Sequence, residues 1–291
     1  MNTQPATQES TSTAIWLQSL SEGTAGITIK ARHAVYTGAS PLQKIEVFDT
    51  YRFGRILLLG GVIVLTERDE HIYHEMITHP ALLMHPDPQR VCIIGGGDGG
   101  CAREVLRHSD VQEVTVIEID KHVTDIITTY FPKLAESFSS DKISLRIEDG
   151  CAYLQSAGAA FDVIVVDSYD PGGPVQSLET ASFYELVRAR LTDNGIAVFQ
   201  TDSPESRSSV LQTTVQRISP YFGGYRVYLC PMPSFPGGQC SFVVAAVHKS
   251  RLEHFDASRY RQTAHLCAYY NDAIHRGATA LPQHIKQLVE T

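Results

Sequence analysis

A glycine-rich loop, IIGGGDGG at residues 93–100, carries a carboxylate, Asp98, among its glycines. Gly95, Gly97 and Gly100 fit the G-x-G-x-x-G spacing of a dinucleotide-binding loop, although that match alone is weak. In such a loop the backbone N–H groups and the helix N-terminus face a pyrophosphate, which an aspartate would repel. The acid therefore predicts a ligand that carries a positive charge.

Further acids follow the next two predicted strands. Glu118 ends the second strand, where an acid can accept both hydroxyls of a ribose, in NAD and in S-adenosyl ligands alike. Asp149-Gly150 ends the third strand, where a carboxylate can accept from an adenine amino group while glycine lets the base come close. The same pair is equally typical of an ordinary turn and helix cap.

The fourth strand, FDVIVV, runs into DSYDPGGP at residues 167–174. Asp167 and Asp170, followed by rigid proline and glycine residues, predict a fixed anionic pocket, although they could instead cap the next helix. Three acids around one crevice repel one another unless cations bind there. A sulfonium ligand related to S-adenosylmethionine fits the adenosine side and Asp98, and an amine fits Asp167 and Asp170.

The elements that position these acids differ along the chain. From Gln89 onward, strand patterns such as VCIIG and VTVIEID alternate with helical ones, which predicts a Rossmann-like, doubly wound parallel sheet of the S-adenosylmethionine methyltransferase type. Residues 14–66 alternate short β-rich runs with turns, which predicts a small N-terminal antiparallel β domain. Residues 1–13 are predicted to be a disordered polar tail, and residues 67–291 the catalytic domain.

Composition excludes several function classes. The net charge of −8 argues against a nucleic-acid or anionic-membrane surface. The six cysteines show no C-x-x-C pair and no zinc spacing, which predicts reduced thiols and a cytoplasmic location. The first thirteen residues lack the features of a signal peptide, and no apolar run approaches the length of a membrane span.

Taken together, the chain resembles the spermidine synthase (polyamine aminopropyltransferase) family. The matching segments are Gln43 with IEVFDT, FGR at 53–55, TERDE at 66–70, YHEM at 73–76, GGGDGG, VIEID, DSYDPGGP, and YYN, IH and ALP between 269 and 282. They occur in the family's order and cover nearly everything after the first thirty residues.

This resemblance implies transfer of the aminopropyl group of decarboxylated S-adenosylmethionine to putrescine or a related amine, giving spermidine and 5′-methylthioadenosine. The decarboxylated donor is then a co-substrate, no cofactor or metal is expected, and the protein is expected to form homodimers or homotetramers. The residues that would hold the nucleoside are Gln43, Asp98, Glu118, Asp149, Gly150 and Pro174.

On the amine side, the resemblance makes Asp167 the general base, helped by Tyr73. The residues that would contact the amine are His74, Asp98, Asp167, Ser168, Tyr169, Asp170 and Phe235. The chemistry is reasonable, because an alkylammonium with a pKa of about 10 must lose a proton before it attacks the methylene beside the sulfonium.

Four positions depart from the family pattern. Phe235 stands where the family usually has Tyr, Val64 where Gln is common, Gly60 where Asp is common and Cys240 where a larger aromatic is frequent. We expect a less polar, roomier amine pocket, so cadaverine, a longer polyamine or agmatine could replace putrescine.

The main alternative is an S-adenosylmethionine-dependent amine N-methyltransferase, which the same fold also supports. The intact TERDE segment argues against it. An NAD-dependent oxidoreductase is opposed by Asp98, and a polyamine sensor would need an altered Asp167. His71 and His74 could suit a metal, but no third ligand pattern lies nearby.

Aromatic residues near the two ends of the chain have mostly structural interpretations. Tyr269, Tyr270 and His275 are expected to pack the C-terminal helix. Trp16, the only tryptophan, could either close the pocket or anchor the N-terminal strands.

Overall fold

The computed structural model describes residues 14–156, 158, 160–167, 178 and 180–290. Two β-sheets, of five and seven strands, form its framework. No helix in these described ranges is long and apolar enough to cross a membrane.

The N-terminal sheet is antiparallel, with its strands in sequence order, and it confirms the predicted small β domain. Its strands are β1 (Ile15–Ser21), β2 (Ala25–Ala39), β3 (Lys44–Thr50), β4 (Arg55–Leu59) and β5 (Val62–Thr66). The sheet curls, so that the Ile63 N–H donates to the Ser19 hydroxyl across β5 and β1. Side chains alternate between its faces, and Val47 packs toward Ile127 in the catalytic part of the chain while Phe48 faces the interior of the curl.

The second sheet has the order β11-β12-β10-β9-β6-β7-β8. Its strands are β6 (Arg90–Gly95), β7 (Glu113–Glu118), β8 (Ile143–Ile147), β9 (Phe161–Asp167), β10 (Leu191–Gln200), β11 (Gly224–Pro231) and β12 (Gln239–Ala246). Strands β6 to β10 are parallel, as the sequence predicts, whereas β12 runs antiparallel to β10 and to β11. The predicted doubly wound parallel sheet is confirmed, and the β11–β12 hairpin adds two strands that were not predicted. A short hairpin joins β11 to β12, and so short a connection permits only antiparallel pairing.

Helices cover both faces of this sheet. They are α1 (Glu70–Met84), α2 (Gly100–Leu106), α3 (Lys121–Tyr130), α4 (Pro132–Ala135), α5 (Gly150–Ser156), α6 (Ala181–Ala189), α7 (Ser208–Ile218), α8 (Ala257–Thr263), α9 (Asp272–Gly277) and α10 (Gln283–Val289). Within β6, Ile93 faces the core that includes α1 and α2, and Ile94 faces the core under α5, α6 and α7. Burial on both faces explains the nearly continuous apolar runs of these strands.

Strand order brings the predicted site together. Strands β7, β6 and β9 are neighbours, and Gly95 lies opposite Asp167 in the β6–β9 register. Because the strands are parallel, the residues that follow them meet at one edge of the sheet. Helix α1 joins the two sheets and is buried from His74 to Met84, so its first turns reach the same edge.

A buried arginine, Arg259 of α8, anchors the C-terminal segment to the end of α1. Its guanidinium donates to the carbonyl oxygens of Leu82 (2.9 Å), His85 (3.0 Å) and Pro86 (2.9 Å) and to Asp110 Oδ2 (2.8 Å). Three backbone acceptors and one carboxylate therefore depend on a single side chain.

We expect Arg259→Met to lower the free energy of unfolding by about 2–5 kcal/mol, because it leaves buried acceptors without a donor. Urea unfolding followed by circular dichroism measures the loss. Arg261→Met, at an exposed position of the same helix, is the matched control and should change the value by less than about 0.5 kcal/mol. Equal losses in the two variants would contradict the anchoring role.

Candidate active site

A cavity of about 690 Å³ lies at the carboxyl edge of the second sheet, and residues of both sheets line it. All nine predicted site residues that fall in the described part of the chain lie on its wall: Gln43, Tyr73, His74, Asp98, Glu118, Asp149, Gly150, Asp167 and Phe235. The predicted residues Ser168, Tyr169, Asp170 and Pro174 lie outside the described residues.

Glu118 is held at the end of β7 by backbone donors. The Gly97 N–H donates to its Oε2 (3.2 Å) and the Asp120 N–H to its Oε1 (2.8 Å). Burial raises the pKa of Glu118 to about 7, in spite of these two bonds. Ribose hydroxyls would add donors to its ionised form and so stabilise it.

Gln43 reaches the cavity from the N-terminal sheet, and Asp120 fixes its side chain. Asp120 Oδ2 accepts from Gln43 Nε2 (3.1 Å) and from the Ser40 hydroxyl (2.6 Å), and its Oδ1 accepts from the His122 N–H (3.0 Å) at the start of α3. With its amide nitrogen held there, Gln43 has its carbonyl oxygen left as an acceptor. The sequence analysis gave Asp120 no role, although its position two residues after Glu118 was an available signal.

Asp149 caps the helix that follows it, which is one of the two alternatives that the sequence left open, and it also lies on the cavity wall. Its Oδ1 accepts from the Ala152 N–H (2.8 Å) in the first turn of α5. A Cβ on Gly150 would lie 2.6 Å from Ile94 Cγ2, so glycine allows α5 to begin close against β6. Contact with adenine stays a prediction.

Asp167, at the end of β9, has a hydrogen-bond donor on each carboxylate oxygen. The Tyr73 hydroxyl donates to Oδ1 (2.5 Å) and the Cys101 thiol lies 3.0 Å from Oδ2. Burial and the nearby charge of Asp98 raise the pKa of Asp167 to about 6. Burial and Asp167 raise the pKa of Tyr73 well above its usual range, so the phenol stays protonated and donates.

Asp98 has a counter-ion within the protein. His74 Nε2 lies 3.2 Å from Asp98 Oδ2, and His74 Nδ1 lies 2.7 Å from Glu70 Oε2. Burial acts to lower the pKa of His74, but the two carboxylates outweigh it and raise that pKa well above its usual range. The sequence argument that Asp98 needs a cationic ligand was therefore incomplete, because a charged His74 balances it.

Two glycines of the loop make room for these side chains. A Cβ on Gly97 would lie 2.5 Å from Glu118 Oε2, and one on Gly100 would lie 2.2 Å from the His74 ring. An alanine at either position would displace a cavity side chain. Two of the glycines that match the dinucleotide-loop spacing, Gly97 and Gly100, are therefore needed to make room for Glu118 and His74.

His74, Cys101 and Asp167 place potential metal-ligand atoms within 4.8 Å of one another. Both ring nitrogens of His74 already face carboxylates, and an imidazolium has no lone pair for a metal. Binding a metal would require breaking one of those pairs. His71, the other residue of the predicted pair, is not in the group.

The family departures divide into two kinds. Val64 and Phe235 line the cavity, and the Phe235 ring centre lies 6.1 Å from that of Tyr73. Cys240 is fully buried and Gly60 lies at the turn between β4 and β5, and neither is on the cavity wall. Of the four departures, only those at Val64 and Phe235 can therefore lower the polarity of the cavity wall directly.

The aromatic residues outside the cavity pack as follows. Trp16 is 57% exposed on β1, with the Lys30 ammonium over its ring, and it does not line the cavity. Tyr270 is buried, and its hydroxyl lies 2.6 Å from His275 Nδ1, as packing of the C-terminal segment predicts.

Residues at and after the end of β10 also reach the cavity, although none of them was among the predicted site residues. Gln200, Asp202 and Arg207 line it, and Arg207 Nε lies 3.8 Å from Asp202 Oδ2 and 3.6 Å from Glu22 Oε1. The strand-end rule that found Asp167 applies equally to β10, whose last residue is Gln200.

Comparison with known proteins identifies the family. Residues 70–254 match the spermine/spermidine synthase domain, and residues 15–67 match the spermidine synthase tetramerisation domain. The chain belongs to the spermine/spermidine synthase family. The predicted resemblance is confirmed, and the enzyme is a transferase.

Curated relatives and solved structures agree with this assignment. A polyamine aminopropyltransferase of Methanocaldococcus jannaschii is 36% identical over 282 residues, 95% of each chain. One of Shouchella clausii is 34% identical over 265 residues, 91% of this chain and 95% of the relative. A spermidine synthase in complex with the transition-state analogue AdoDATO has a TM-score of 0.91 at 30% identity and covers 100% of this chain and 98% of that chain. The spermidine synthase of Thermotoga maritima gives 0.90 at 30% identity, with 100% and 97% coverage.

The pKa of Glu118, about 7, predicts pH-dependent nucleoside binding. The ionised acid accepts from ribose hydroxyls more strongly than the neutral acid, so we expect the Kd of 5′-methylthioadenosine to be up to about tenfold higher at pH 6 than at pH 8. Isothermal titration calorimetry measures the Kd, and buffers of different ionisation enthalpy detect proton release.

Two variants serve as controls for this titration. Glu118→Gln is neutral at every pH and should bind weakly without the tenfold difference. Asp167→Asn removes the second acid that titrates in this range and should keep the difference. A wild-type Kd that is the same at pH 6 and pH 8 would contradict the role of Glu118.

Proposed function

We propose that this enzyme transfers the aminopropyl group of decarboxylated S-adenosylmethionine to a primary amine such as putrescine. The products would be spermidine and 5′-methylthioadenosine. The observation that carries the proposal is Asp167 on the wall of a cavity that also contains Glu118, with a protonated Tyr73 bound to one oxygen. One acid is thus available for proton transfer and the other for a ribose.

The charges around the cavity support Asp167 as the acceptor of the amine's proton. Arg103 donates to Glu70 at 2.9 and 2.8 Å and to Glu104 at 2.7 Å, and Glu70 and Asp98 enclose His74, so Glu70 and Asp98 each have a cationic partner within the protein. The described hydrogen-bond partners of Asp167, Tyr73 and Cys101, are neutral. Asp167 therefore offers its charge to a bound ammonium.

The reaction then follows in a defined order. The bound ammonium gives a proton to Asp167, whose raised pKa makes it a better base than an exposed aspartate. The nitrogen lone pair forms the N–C bond with the methylene next to the sulfonium, and the C–S pair goes to sulfur. The sulfonium leaves as a neutral thioether, and the proton passes from Asp167 to solvent.

Methyl transfer from S-adenosylmethionine is the alternative. The relatives above are named for aminopropyl transfer, which favours the proposed reaction over methylation. One of the similar structures is a spermidine synthase bound to a transition-state analogue, and it has the same fold over the whole of this chain.

Neither a cofactor nor a metal is part of the proposal, since His74 is engaged by two carboxylates. We also propose a homodimer or homotetramer, because residues 15–67 match a tetramerisation domain. A cytoplasmic location is proposed from the free thiols of Cys92, Cys230 and Cys240, which suit a reducing compartment.

The deciding experiment is product analysis by mass spectrometry. The purified protein is incubated in EDTA-containing buffer with either S-adenosylmethionine or decarboxylated S-adenosylmethionine as the donor. Each donor is combined with a panel of amines: putrescine, cadaverine, agmatine and spermidine. 5′-Methylthioadenosine and an aminopropylated amine with the decarboxylated donor alone would support the proposal. S-adenosylhomocysteine and a methylated amine would overturn it.

We expect Asp167→Asn to lower kcat by about 10²- to 10⁴-fold, because it removes the proton acceptor. In the wild type, kcat/KM for the amine should fall as the pH drops below about 6, where Asp167 is protonated. Steady-state kinetics between pH 5 and pH 9 measure both. Asp193→Asn, at an exposed aspartate, is the control and should keep wild-type rates; an equal fall in both variants would contradict the assignment.

The apolar cavity wall predicts altered amine preference. Phe235→Tyr adds a hydroxyl beside Tyr73, and one added hydrogen bond to an amine should lower KM for putrescine by about 2- to 10-fold with little change in kcat. Kinetics across the amine panel measure this. Phe255→Tyr, outside the cavity lining, should leave KM unchanged. A KM for Phe235→Tyr equal to that of wild type for every amine would contradict it.

A further inference from the structure

Cys101 lies directly behind the Asp167 carboxylate. Its thiol sulfur is 3.0 Å from Asp167 Oδ2, and its side chain is fully buried. The cavity wall includes Asp167 and Gly96 but not Cys101. Cys101 therefore contacts the base from the protein side, where a substrate does not reach it.

The thiol of Cys101 is held in its protonated form. Burial and the charges of Asp167 and Asp98 raise its pKa well above the usual range. A thiolate at this distance from a carboxylate would be repelled, whereas a thiol donates a hydrogen bond to it. Its chemistry here is donation, because nucleophilic attack and metal binding both require the thiolate.

Cys101 completes a pair of donors on Asp167. Tyr73 donates to Oδ1 at 2.5 Å, and Cys101 donates to the other oxygen of the same carboxylate, Oδ2, at 3.0 Å. One donor alone would leave the carboxylate free to rotate about its last bond. With a donor on each oxygen its plane is defined, and the remaining lone pairs are available to the cavity.

Packing restricts this arrangement further. A Cβ on Gly96 would lie 3.2 Å from Asp167 Oδ2 and 3.8 Å from Cys101 Cβ, so a side chain at position 96 would crowd the same oxygen. Glycine at this position leaves Oδ2 to the Cys101 thiol. Cys101 also belongs to the apolar core between α2 and the sheet, so its position is fixed by packing as well as by the hydrogen bond.

We propose that Cys101 is a positioning residue, whose thiol orients the Asp167 carboxylate and stabilises its ionised form for proton transfer. The inference rests on the proposed function, since it concerns the base of that reaction. Thiols are weak donors, so we expect loss of the thiol to have a modest effect on activity, mainly through the protonation of Asp167.

The test compares Cys101→Val, which fills the space without a donor, with Cys101→Ser, which keeps one. Removing a hydrogen bond to the ionised carboxylate raises the pKa of Asp167. Asp167 then becomes protonated, and activity falls, at a higher pH than in the wild type. For Cys101→Val we expect the acid limb of the kcat/KM profile to move up by about 0.3 to 1 pH unit and kcat to fall about 2- to 10-fold. Cys101→Ser should restore the wild-type limb.

Cys92→Val is the matched control. Cys92 is equally buried, in β6, but it faces the other core and has no described contact with Asp167. It should leave the profile unchanged. A Cys101→Val profile that equals wild type, or an equal shift in Cys92→Val, would show that the thiol only fills space. Thermal unfolding confirms that each variant folds, and Cys101→Ala replaces Cys101→Val should the latter not fold.

A readout without turnover separates this inference from the proposed function. Carbon-13 NMR titration of aspartate carboxyl groups reports the pKa of Asp167 directly, with Asp167→Asn identifying its signal. Absence of aminopropylated product in the wild type would overturn the proposed function alone. An Asp167 pKa that is the same in wild type and Cys101→Val would overturn the positioning role, whatever reaction the enzyme catalyses.

Discussion

The burial of several carboxylates around one crevice is the constraint on which the site depends. Charged groups withdrawn from water are costly unless they are paired. The paired groups alternate in charge along the row Arg103, Glu70, His74 and Asp98. Outside this row, burial raises the pKa of Asp167 to about 6 and that of Glu118 to about 7, and no cationic side chain is among their described hydrogen-bond partners to offset it. A ligand that brings a cation or hydroxyl donors would therefore stabilise the ionised forms of these two acids most.

This charge balance also determines the shape of the glycine loop. Gly97 lies against Glu118 and Gly100 against the ring of His74, at distances that exclude a Cβ. A dinucleotide-binding loop needs its glycines for close approach of a pyrophosphate, whereas here they allow close approach of the protein's own side chains. The two kinds of loop share a glycine spacing because each brings the backbone close to a bulky group. The spacing alone therefore does not indicate whether that group is a bound pyrophosphate or side chains of the protein.

Part of this site could be predicted from sequence, because one geometric rule covers it. Asp98 and Asp149 follow a parallel strand and Glu118 and Asp167 end one, and such strand ends meet at one edge of a sheet. The partner of Asp98 could not be found this way, since His74 comes from a helix whose orientation depends on packing between two sheets. The direction of the Cys101 thiol depends on the same packing, and the antiparallel strands β11 and β12 lie beyond the alternating pattern used to predict the sheet.

The two ends of the cavity are built differently, which bears on how substrate preference can change. At the end where we propose that the nucleoside binds, backbone donors from Gly97 and Asp120 hold Glu118, so alteration there would disturb the loop and the start of α3. Val64 and Phe235, from separate elements, contribute to the wall through their side chains. Substitutions at these two positions alter the space and polarity offered to an amine while the donors to Asp167 stay in place. With the proposed roles, such an enzyme can change its acceptor amine through Val64 and Phe235 while Asp167 and its two donors stay unchanged.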